Sequence, residues 1–209
     1  MARRHPRGAP RRRTAAYVPR RQLLVLVEGK RTEDGYFKFW WRRNRDKIIV
    51  NIDERNGTPM ALVERAVARK AREEREERRG RGAAHDEVWC VFDVDDHPYL
   101  EEAILLAERH GIKVAVSNPC FELWLILHYE NQNADIGRRT AQARATELIK
   151  CKKVLTEAAL EALAARYDDA LQRAKALDKK HEGDGSQPRS NPSSEVWKLV
   201  DRIVYRDRS

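Results

Sequence analysis

The fold is decided by one stretch of the sequence, Val88-Trp89-Cys90-Val91-Phe92-Asp93-Val94-Asp95-Asp96-His97. A short run of β-branched and aromatic residues ends there in carboxylates, and Pro98 follows. A continuous apolar run bounded by charge and proline is typical of a buried strand in a parallel sheet. In open α/β sheets, ligands bind beyond the carboxyl ends of the strands, where the three aspartates would lie. The stretch therefore predicts a ligand site at that edge.

Apolar runs of the same kind recur along the first part of the chain and alternate with helical patterns. Further strands are predicted at 22–27, 48–52 and 112–116. Helix-start signals follow all three, with Thr32 as the first cap, Thr58 before Pro59 as the second and Ser117-Asn118-Pro119 as the third. Strand and helix alternate without hairpin signals, which predicts an α/β fold with a mainly parallel sheet and flanking helices.

After Glu130 the strand pattern stops. Ala- and Leu-rich segments at 134–150 and 155–180 show helical periodicity, and Ser193 or Ser194 would cap a last helix. The apolar faces of these helices would suit a homodimer. The chain divides into three predicted parts, which are a disordered basic arm at 1–21, an α/β core at 22–130, and a helical appendage with the C-terminal helix at 131–209.

Composition excludes several classes of protein. Charged residues make up 36% of the 209, and no run of about 18 apolar residues exists, so a membrane-spanning helix is excluded. The arginine-rich N-terminus lacks the apolar region of a secretory signal. Cys90, Cys120 and Cys151 have no close pairing, so we expect free thiols in a cytoplasmic protein. The net charge of +9 favours a polyanionic partner.

Part of this positive charge lies in the first 21 residues, where Arg11, Arg12 and Arg13 are consecutive. The segment has no apolar periodicity, which predicts a disordered arm. Contact with a phosphate backbone is one interpretation of the arm. A tail that only keeps the protein in solution is the other, and the sequence favours neither.

Carboxylates at the ends of two predicted strands could bind one cation. Glu28 follows the first strand, and Asp93 and Asp95 follow the central one, with Val94 pointing away between them. A carboxylate directly after a buried strand is costly unless it is solvated, paired or bound to metal. Glu28 could also be an ordinary surface residue. With Asp96, these oxygens suit one or two Mg²⁺ or Mn²⁺ ions, which could polarise a phosphodiester and activate a water.

Four further residues flank this edge. Glu122 begins an apolar helix, where either the helix dipole favours its charge or the carboxylate faces the metal. Lys30 and Arg31 could bind phosphate oxygens or simply be exposed. His128 is expected to be a structural or interface residue rather than a ligand. Zinc and serine-hydrolase sites are not indicated, because the histidines and cysteines lack ligand spacing and no nucleophile-elbow motif occurs.

Three blocks of sequence, taken together, resemble the RloB family. They are Glu28-Gly29-Lys30-Arg31-Thr32-Glu33, then Phe92-Asp93-Val94-Asp95-Asp96, then Ser117-Asn118-Pro119-Cys120-Phe121-Glu122-Leu123-Trp124-Leu125. Asn191-Pro192-Ser193 adds to the pattern, and the resemblance runs from about Gln22 to Ile203. The first two blocks also look like the metal site of the Toprim domain, which topoisomerases, primases and OLD-type nucleases share.

The resemblance implies a Toprim-like fold and a place in prokaryotic antiviral defence loci, beside an ATPase of the ABC or AAA kind. Related Toprim effectors are nucleases, and some cut tRNA. Carried over to this chain, Glu28 matches the Toprim glutamate, a general acid/base or metal ligand. Asp93 and Asp95 match the metal-binding Asp-x-Asp pair. Asp96 and Glu122 would be additions of this family, and the arginine arm is not part of the Toprim pattern.

We therefore expect a Mg²⁺- or Mn²⁺-dependent nuclease that hydrolyses phosphodiesters, with RNA slightly favoured over DNA and tRNA as one candidate. The expected catalytic residues are Glu28, Asp93, Asp95 and Glu122, and the expected metal ligands are Glu28, Asp93, Asp95 and Asp96. The alternative is a non-catalytic nucleic-acid-binding or sensor subunit, whose function would need the arm and not the carboxylates. A topoisomerase or primase activity ranks lower, because no tyrosine-nucleophile domain or zinc ribbon is recognisable.

Overall fold

The computed structural model describes residues 20–29, 31–53, 55, 57–94, 97, 99–151 and 154–204. Within these ranges the chain forms a five-stranded sheet of order β2-β1-β3-β4-β5. Its strands are β1 (Arg21–Val27), β2 (Ile48–Asp53), β3 (Glu87–Asp93), β4 (Lys113–Asn118) and β5 (Ser193–Ser194). The first four are parallel, and β5 pairs antiparallel with β4. This architecture confirms the predicted fold class and is consistent with a Toprim-like fold.

Helices cover both faces of the sheet. In the described part of the chain they are α1 (Thr32–Asn44), α2 (Pro59–Arg78), α3 (Leu100–Arg109), α4 (Glu122–Leu127), α5 (Arg138–Ile149), α6 (Glu157–Ala164), α7 (Tyr167–Gly183) and α8 (Val196–Val204). The helices α2 and α3 pack on one face. The other six contribute to the larger core on the opposite face.

The strand β1 shows why the central strands are apolar throughout. Leu24 and Leu26 pack in the core with α2 and α3. Leu23, Val25 and Val27 belong to the larger core on the other face. Successive side chains of a strand point to opposite faces, so a strand covered on both sides needs an apolar residue at every position.

The helices that follow residue 130 share their core with the sheet. Leu163 of α6, Leu177 of α7 and Leu199 of α8 are buried in the same cluster as Val25 of β1. The apolar faces that we expected to suit a homodimer are therefore packed within the chain, and dimerisation stays a prediction. No helix in the described ranges combines the length and the apolarity needed to cross a membrane.

Three predicted helix caps are wrong. Thr32 lies inside α1, whose N-cap position is the preceding residue. Ser117-Asn118-Pro119 provides no side-chain cap for α4, and Ser193-Ser194 forms β5 instead of capping α8. The Ser117 and Ser194 hydroxyl oxygens are 3.1 Å apart, and Glu195 N–H donates to the Val116 carbonyl at 2.8 Å. The serines pair with β4 because the unpaired backbone of a sheet edge needs partners.

Candidate active site

Glu28 and Asp93 lie next to each other at the carboxyl edge of the sheet because β1 and β3 pair in parallel. Val27 is in register with Val91, and the Glu28 N–H extends the ladder by donating to the Val91 carbonyl at 3.0 Å. The Glu28 Oε2 atom accepts a hydrogen bond from the backbone N–H of Asp93 at 3.1 Å. The contact holds the Glu28 carboxylate at the end of β3.

Asp93 is a buried carboxylate among like charges, with 7% of its surface exposed. Burial, the largest cause, raises the pKa of Asp93 well above its usual range, and the charge of Glu33 adds to the shift. Arg138 opposes it, whereas Glu28 and Glu122 reinforce it. The Arg138 Nη2 atom lies 3.2 Å from Asp93 Oδ2. Among the described residues, this ion pair is outweighed by burial and by the neighbouring carboxylates.

Glu33 is a further carboxylate at this edge, to which we assigned no role from the sequence. It lies in the first turn of α1, directly over Gly29, where a Cβ atom would overlap the Glu33 carboxyl group. Burial is the main cause that raises the pKa of Glu33 to about 7. A hydrogen bond from the backbone N–H of Glu33 lowers this pKa but does not cancel the effect of burial. The charges of Glu122 and Glu28 add to the rise. Only glycine at position 29 allows this approach.

Glu122 is the first residue of α4 and completes what we call the carboxylate cluster, which consists of Glu28, Glu33, Asp93 and Glu122. Burial raises the pKa of the neighbouring Cys120 thiol, and the charge of Glu122 and its hydrogen bond with the thiol add to the rise, as does the charge of Asp93. Cys120 thus lies within electrostatic reach of both carboxylates. The structure brings Glu122 to the edge where the sequence placed Glu28 and Asp93.

A buried polar network fixes α1 against α4, the two helices whose first turns carry Glu33 and Glu122. Trp124 Nε1 donates to the Tyr36 hydroxyl at 2.8 Å. His128 Nδ1 lies 2.8 Å from the Trp124 carbonyl, and its Nε2 lies 3.4 Å from the Tyr36 hydroxyl. Burial lowers the pKa of His128 to about 3, so the ring is neutral and donates through Nδ1. His128 therefore has a structural role.

Two further contacts position the charged partners of the cluster. His97 Nε2 lies 3.2 Å from Glu28 Oε1. Asn191 binds both backbone polar groups of Ile136, donating to the carbonyl at 3.0 Å and accepting from the N–H at 3.2 Å. Ile136 lies two residues before Arg138. The loop that precedes β5 therefore fixes the segment that carries the guanidinium to Asp93.

A comparison with protein families supplies the affiliation. The model described as RloB-like protein matches residues 23–203. The chain belongs to the RloB-like family. The match extends from β1 to α8 and includes Glu28, Asp93 and Glu122, which confirms the family inferred from the sequence blocks. A comparison with curated proteins finds no match.

Several predicted site residues of the RloB-like chain lie outside the described residues. These are Asp95, Asp96, Lys30, Arg11, Arg12 and Arg13. Arg31 is described and exposed, and it borders the same cavity as Glu122. Of the predicted residues, the structure thus brings Glu28, Asp93 and Glu122 together, with Arg31 close by.

The carboxylate cluster suits a hard cation in its chemistry, although the described part of the RloB-like chain does not form a complete metal site. Within that part, no group of three or more His, Cys, Asp or Glu side chains is placed to hold a metal ion. Carboxylate oxygens are the ligands that Mg²⁺ and Mn²⁺ prefer. Burial, with the charges of the neighbouring carboxylates, raises the pKa of Asp93, and a bound cation would oppose that shift. Glu28 and Asp93 would hold such an ion together with Asp95 and Asp96.

Three residues of this site were missed in the sequence. The position of Glu33 could have been predicted, because a helix that begins shortly after Glu28 places its first turn at the carboxyl edge of the sheet. His97 also had a usable signal, because it closes the acidic stretch that begins at Asp93. Arg138 had none, since α5 is reached only after a segment without strand pattern. Its position depends on tertiary packing.

Proposed function

We propose that this RloB-like protein is a divalent-metal-dependent nuclease that hydrolyses phosphodiester bonds, with RNA, tRNA among them, slightly favoured over DNA. The observation that carries the proposal is the carboxylate cluster, in which burial and mutual repulsion raise the pKa values of Glu33, to about 7, and of Asp93. Buried like charges destabilise a fold unless a cation compensates for them. The net charge of +9 adds attraction for a polyanionic substrate.

Each residue of the proposed site has a distinct role. Glu28 and Asp93, held together by the hydrogen bond at 3.1 Å, would provide ligand oxygens with Asp95 and Asp96. Bound Mg²⁺ or Mn²⁺ supplies Lewis-acid polarisation of the phosphodiester and a lower pKa for an attacking water. Glu122 and Glu33 would accept or release protons next to the scissile bond. Lys30 and Arg31, and the arginines at 11–13, would bind phosphate oxygens.

The biological role follows from the family and is part of the same proposal. The protein would act in the cytoplasm as an effector of antiphage defence, with an ATPase of the ABC or AAA kind as its partner. The family membership supports this role. Such a partner would release or restrain cleavage, so the isolated chain and the complex have to be tested side by side.

The test is incubation of the purified full chain, alone and with its ATPase partner, with total RNA, plasmid and single-stranded DNA. Each mixture contains Mg²⁺, Mn²⁺ or EDTA. Glu28→Gln and Asp93→Asn should lose cleavage, and Glu108→Gln, at an exposed position of α3, serves as the matched control. Thermal unfolding provides an independent readout, since Mg²⁺ or Mn²⁺ should stabilise the wild type more than Asp93→Asn. Metal-independent cleavage, or full activity of Asp93→Asn, would contradict the proposal.

A second function is favoured by one observation. The arginine-rich segment at 1–21 contains Arg11, Arg12 and Arg13 in succession, and a non-catalytic nucleic-acid-binding or sensor subunit could use it to contact a phosphate backbone. For that function, the carboxylate variants would keep full activity in the defence complex. Replacement of Arg11, Arg12 and Arg13 would then abolish it.

A further inference from the structure

A cavity adjoins the carboxylate cluster. Its volume is about 560 Å³, within the range of about 300–1,000 Å³ that is typical of ligand pockets. Glu122 both lines this cavity and belongs to the carboxylate cluster, so the cavity adjoins the cluster. Arg31 and Thr32, where α1 begins, form part of the same lining. A molecule that reaches the cluster could therefore place a neighbouring group in the cavity.

The walls of the cavity are aliphatic on most sides. Leu125 of α4, Ile149 of α5 and Leu155 contribute apolar surface. Gln142 and Thr146, which lie one helical turn apart on α5, add an amide and a hydroxyl. The Thr146 hydroxyl donates to the Gln142 carbonyl at 2.9 Å, and its oxygen lone pairs can still accept. The lining thus combines apolar surfaces with donors and acceptors.

We propose that this cavity is a subsite for an unpaired nucleobase of the strand whose phosphodiester lies at the carboxylate cluster. The inference rests on the proposed function. A nucleobase has two apolar faces, which match Leu125 and Ile149, and a polar edge, which matches Gln142. The exposed guanidinium of Arg31 lies between cavity and solvent, where it can bind the phosphate that connects the base to the chain. An aliphatic chain would instead offer no hydrogen-bonding group to the Gln142 amide.

The subsite determines the class of substrate. A base inside a duplex cannot enter a cavity in the protein unless it leaves the stack. Single strands, loops and bulges present such bases without that cost. The proposed nuclease would therefore act on unpaired regions, and the lining of α5 would influence which base precedes or follows the cut.

The test measures binding separately from cleavage. A labelled single-stranded oligonucleotide of about 12 nucleotides is titrated with the full chain in Ca²⁺, which takes the same oxygen ligands as Mg²⁺. The same strand with abasic sites, and its duplex, are titrated in parallel, as RNA and as DNA, and gels check that the probes stay intact. Ala145→Leu fills the cavity from α5. Ala143→Leu, exposed on the same helix, is the matched control.

We expect the wild type to bind the intact single strand about tenfold more tightly than the abasic strand or the duplex. Ala145→Leu should lose this preference, and Ala143→Leu should keep it. Thr146→Leu, at an exposed position on the rim, should weaken the preference as well and replaces Ala145→Leu if that variant does not fold. Equal preference in wild type and filled variants, or no binding, would overturn the subsite.

The experiments distinguish a failure of the proposed base subsite from a failure of the proposed nuclease activity. If base preference depends on the cavity but no metal-dependent cleavage occurs, hydrolysis is refuted and the subsite stands. If cleavage occurs while filling the cavity leaves base preference and cut position unchanged, the subsite is refuted and the nuclease stands.

Discussion

Asp53 and Asp93 end the two strands that flank β1, and they are almost equally buried, with 8% and 7% of their surfaces exposed. Asp53 accepts hydrogen bonds from the Arg55 backbone N–H at 2.9 Å and from the Arg55 guanidinium, also at 2.9 Å. Arg65 Nε lies 3.9 Å from it. These partners, Arg55 first, lower the pKa of Asp53 in spite of burial. In contrast, burial and neighbouring carboxylates raise the pKa of Asp93.

The comparison shows that two carboxylates with almost equal exposure at the sheet edge have pKa values shifted in opposite directions. For Asp53 the cationic partners outweigh burial, whereas for Asp93 burial and the neighbouring carboxylates outweigh the partner. Asp53 is neutralised by its own loop and by α2, so it stabilises the end of β2. Asp93, within the described part of the chain, pairs with Arg138 among several carboxylates, so its surroundings favour either a proton or a cation. Site residues in other proteins of this architecture can be sought by the same criterion.

The largest expected effect is a difference in cleavage between the variants Asp93→Asn and Asp53→Asn. Asp93→Asn should lower metal-dependent cleavage at least about a hundredfold, because it removes a proposed ligand, and it should leave the free energy of unfolding unchanged or higher. Asp53→Asn should keep cleavage but lower the free energy of unfolding by about 1–3 kcal/mol, because Arg55 and Arg65 lose their partner. Cleavage assays and urea unfolding of both variants measure these two effects. Equal effects of the two substitutions on cleavage would remove the distinction.

The second expected effect concerns pH. The folded protein holds a proton on Glu33 up to about pH 7, whereas the unfolded chain releases it near the ordinary value for glutamate. The contribution of Glu33 to stability in EDTA should therefore fall as pH rises from about 4.5 to about 7. Glu33→Gln should equal the wild type at pH 5 and exceed it at pH 8 by about 2 kcal/mol.

His128, with its pKa lowered to about 3, contributes equally to both proteins and cancels in the difference between them. Urea unfolding at the two pH values measures this difference. Addition of Mg²⁺ at pH 8 should reduce the difference in stability between Glu33→Gln and the wild type, because the cation compensates for the negative charge of the deprotonated Glu33. Asp53→Asn should show a cost that is constant between pH 5 and pH 8, because the pKa of Asp53 is lowered from 3.8 and the wild-type carboxylate is protonated only in stronger acid. A constant difference between wild type and Glu33→Gln across this range would contradict the assignment of Glu33 to the cluster.

The smallest expected effect tests the approach of Glu33 to Gly29. Gly29→Ala places a Cβ atom where the Glu33 carboxyl group lies, so the flexible glutamate side chain has to move away. Cleavage should fall about tenfold, with little change in stability. Gly35→Ala is the matched control, since a Cβ there meets no atom within 4 Å. It should stabilise α1 by up to about 1 kcal/mol without changing cleavage. Unchanged cleavage in Gly29→Ala would separate Glu33 from catalysis.

Much of the fold was predictable because burial on two faces makes a strand apolar at every position, as in β1 and β3. Glu28 and Asp93 were placed at one edge by the same argument, since parallel strands end on the same side. The two-residue strand β5 gave no such signal, because its serines are defined by pairing with β4. The pairing of Arg138 with Asp93 could not be predicted either, because it joins residues from distant elements.

The contact of Asn191 with Ile136 has a consequence for protein synthesis. The segment that presents Arg138 to Asp93 is secured from a loop far along the chain, beside a strand that joins the sheet last. While the ribosome is still translating the residues before Asn191, the nascent chain can build the parallel sheet but cannot secure that arginine. The proposed active site therefore cannot be completed before Asn191 has been translated and has bound Ile136.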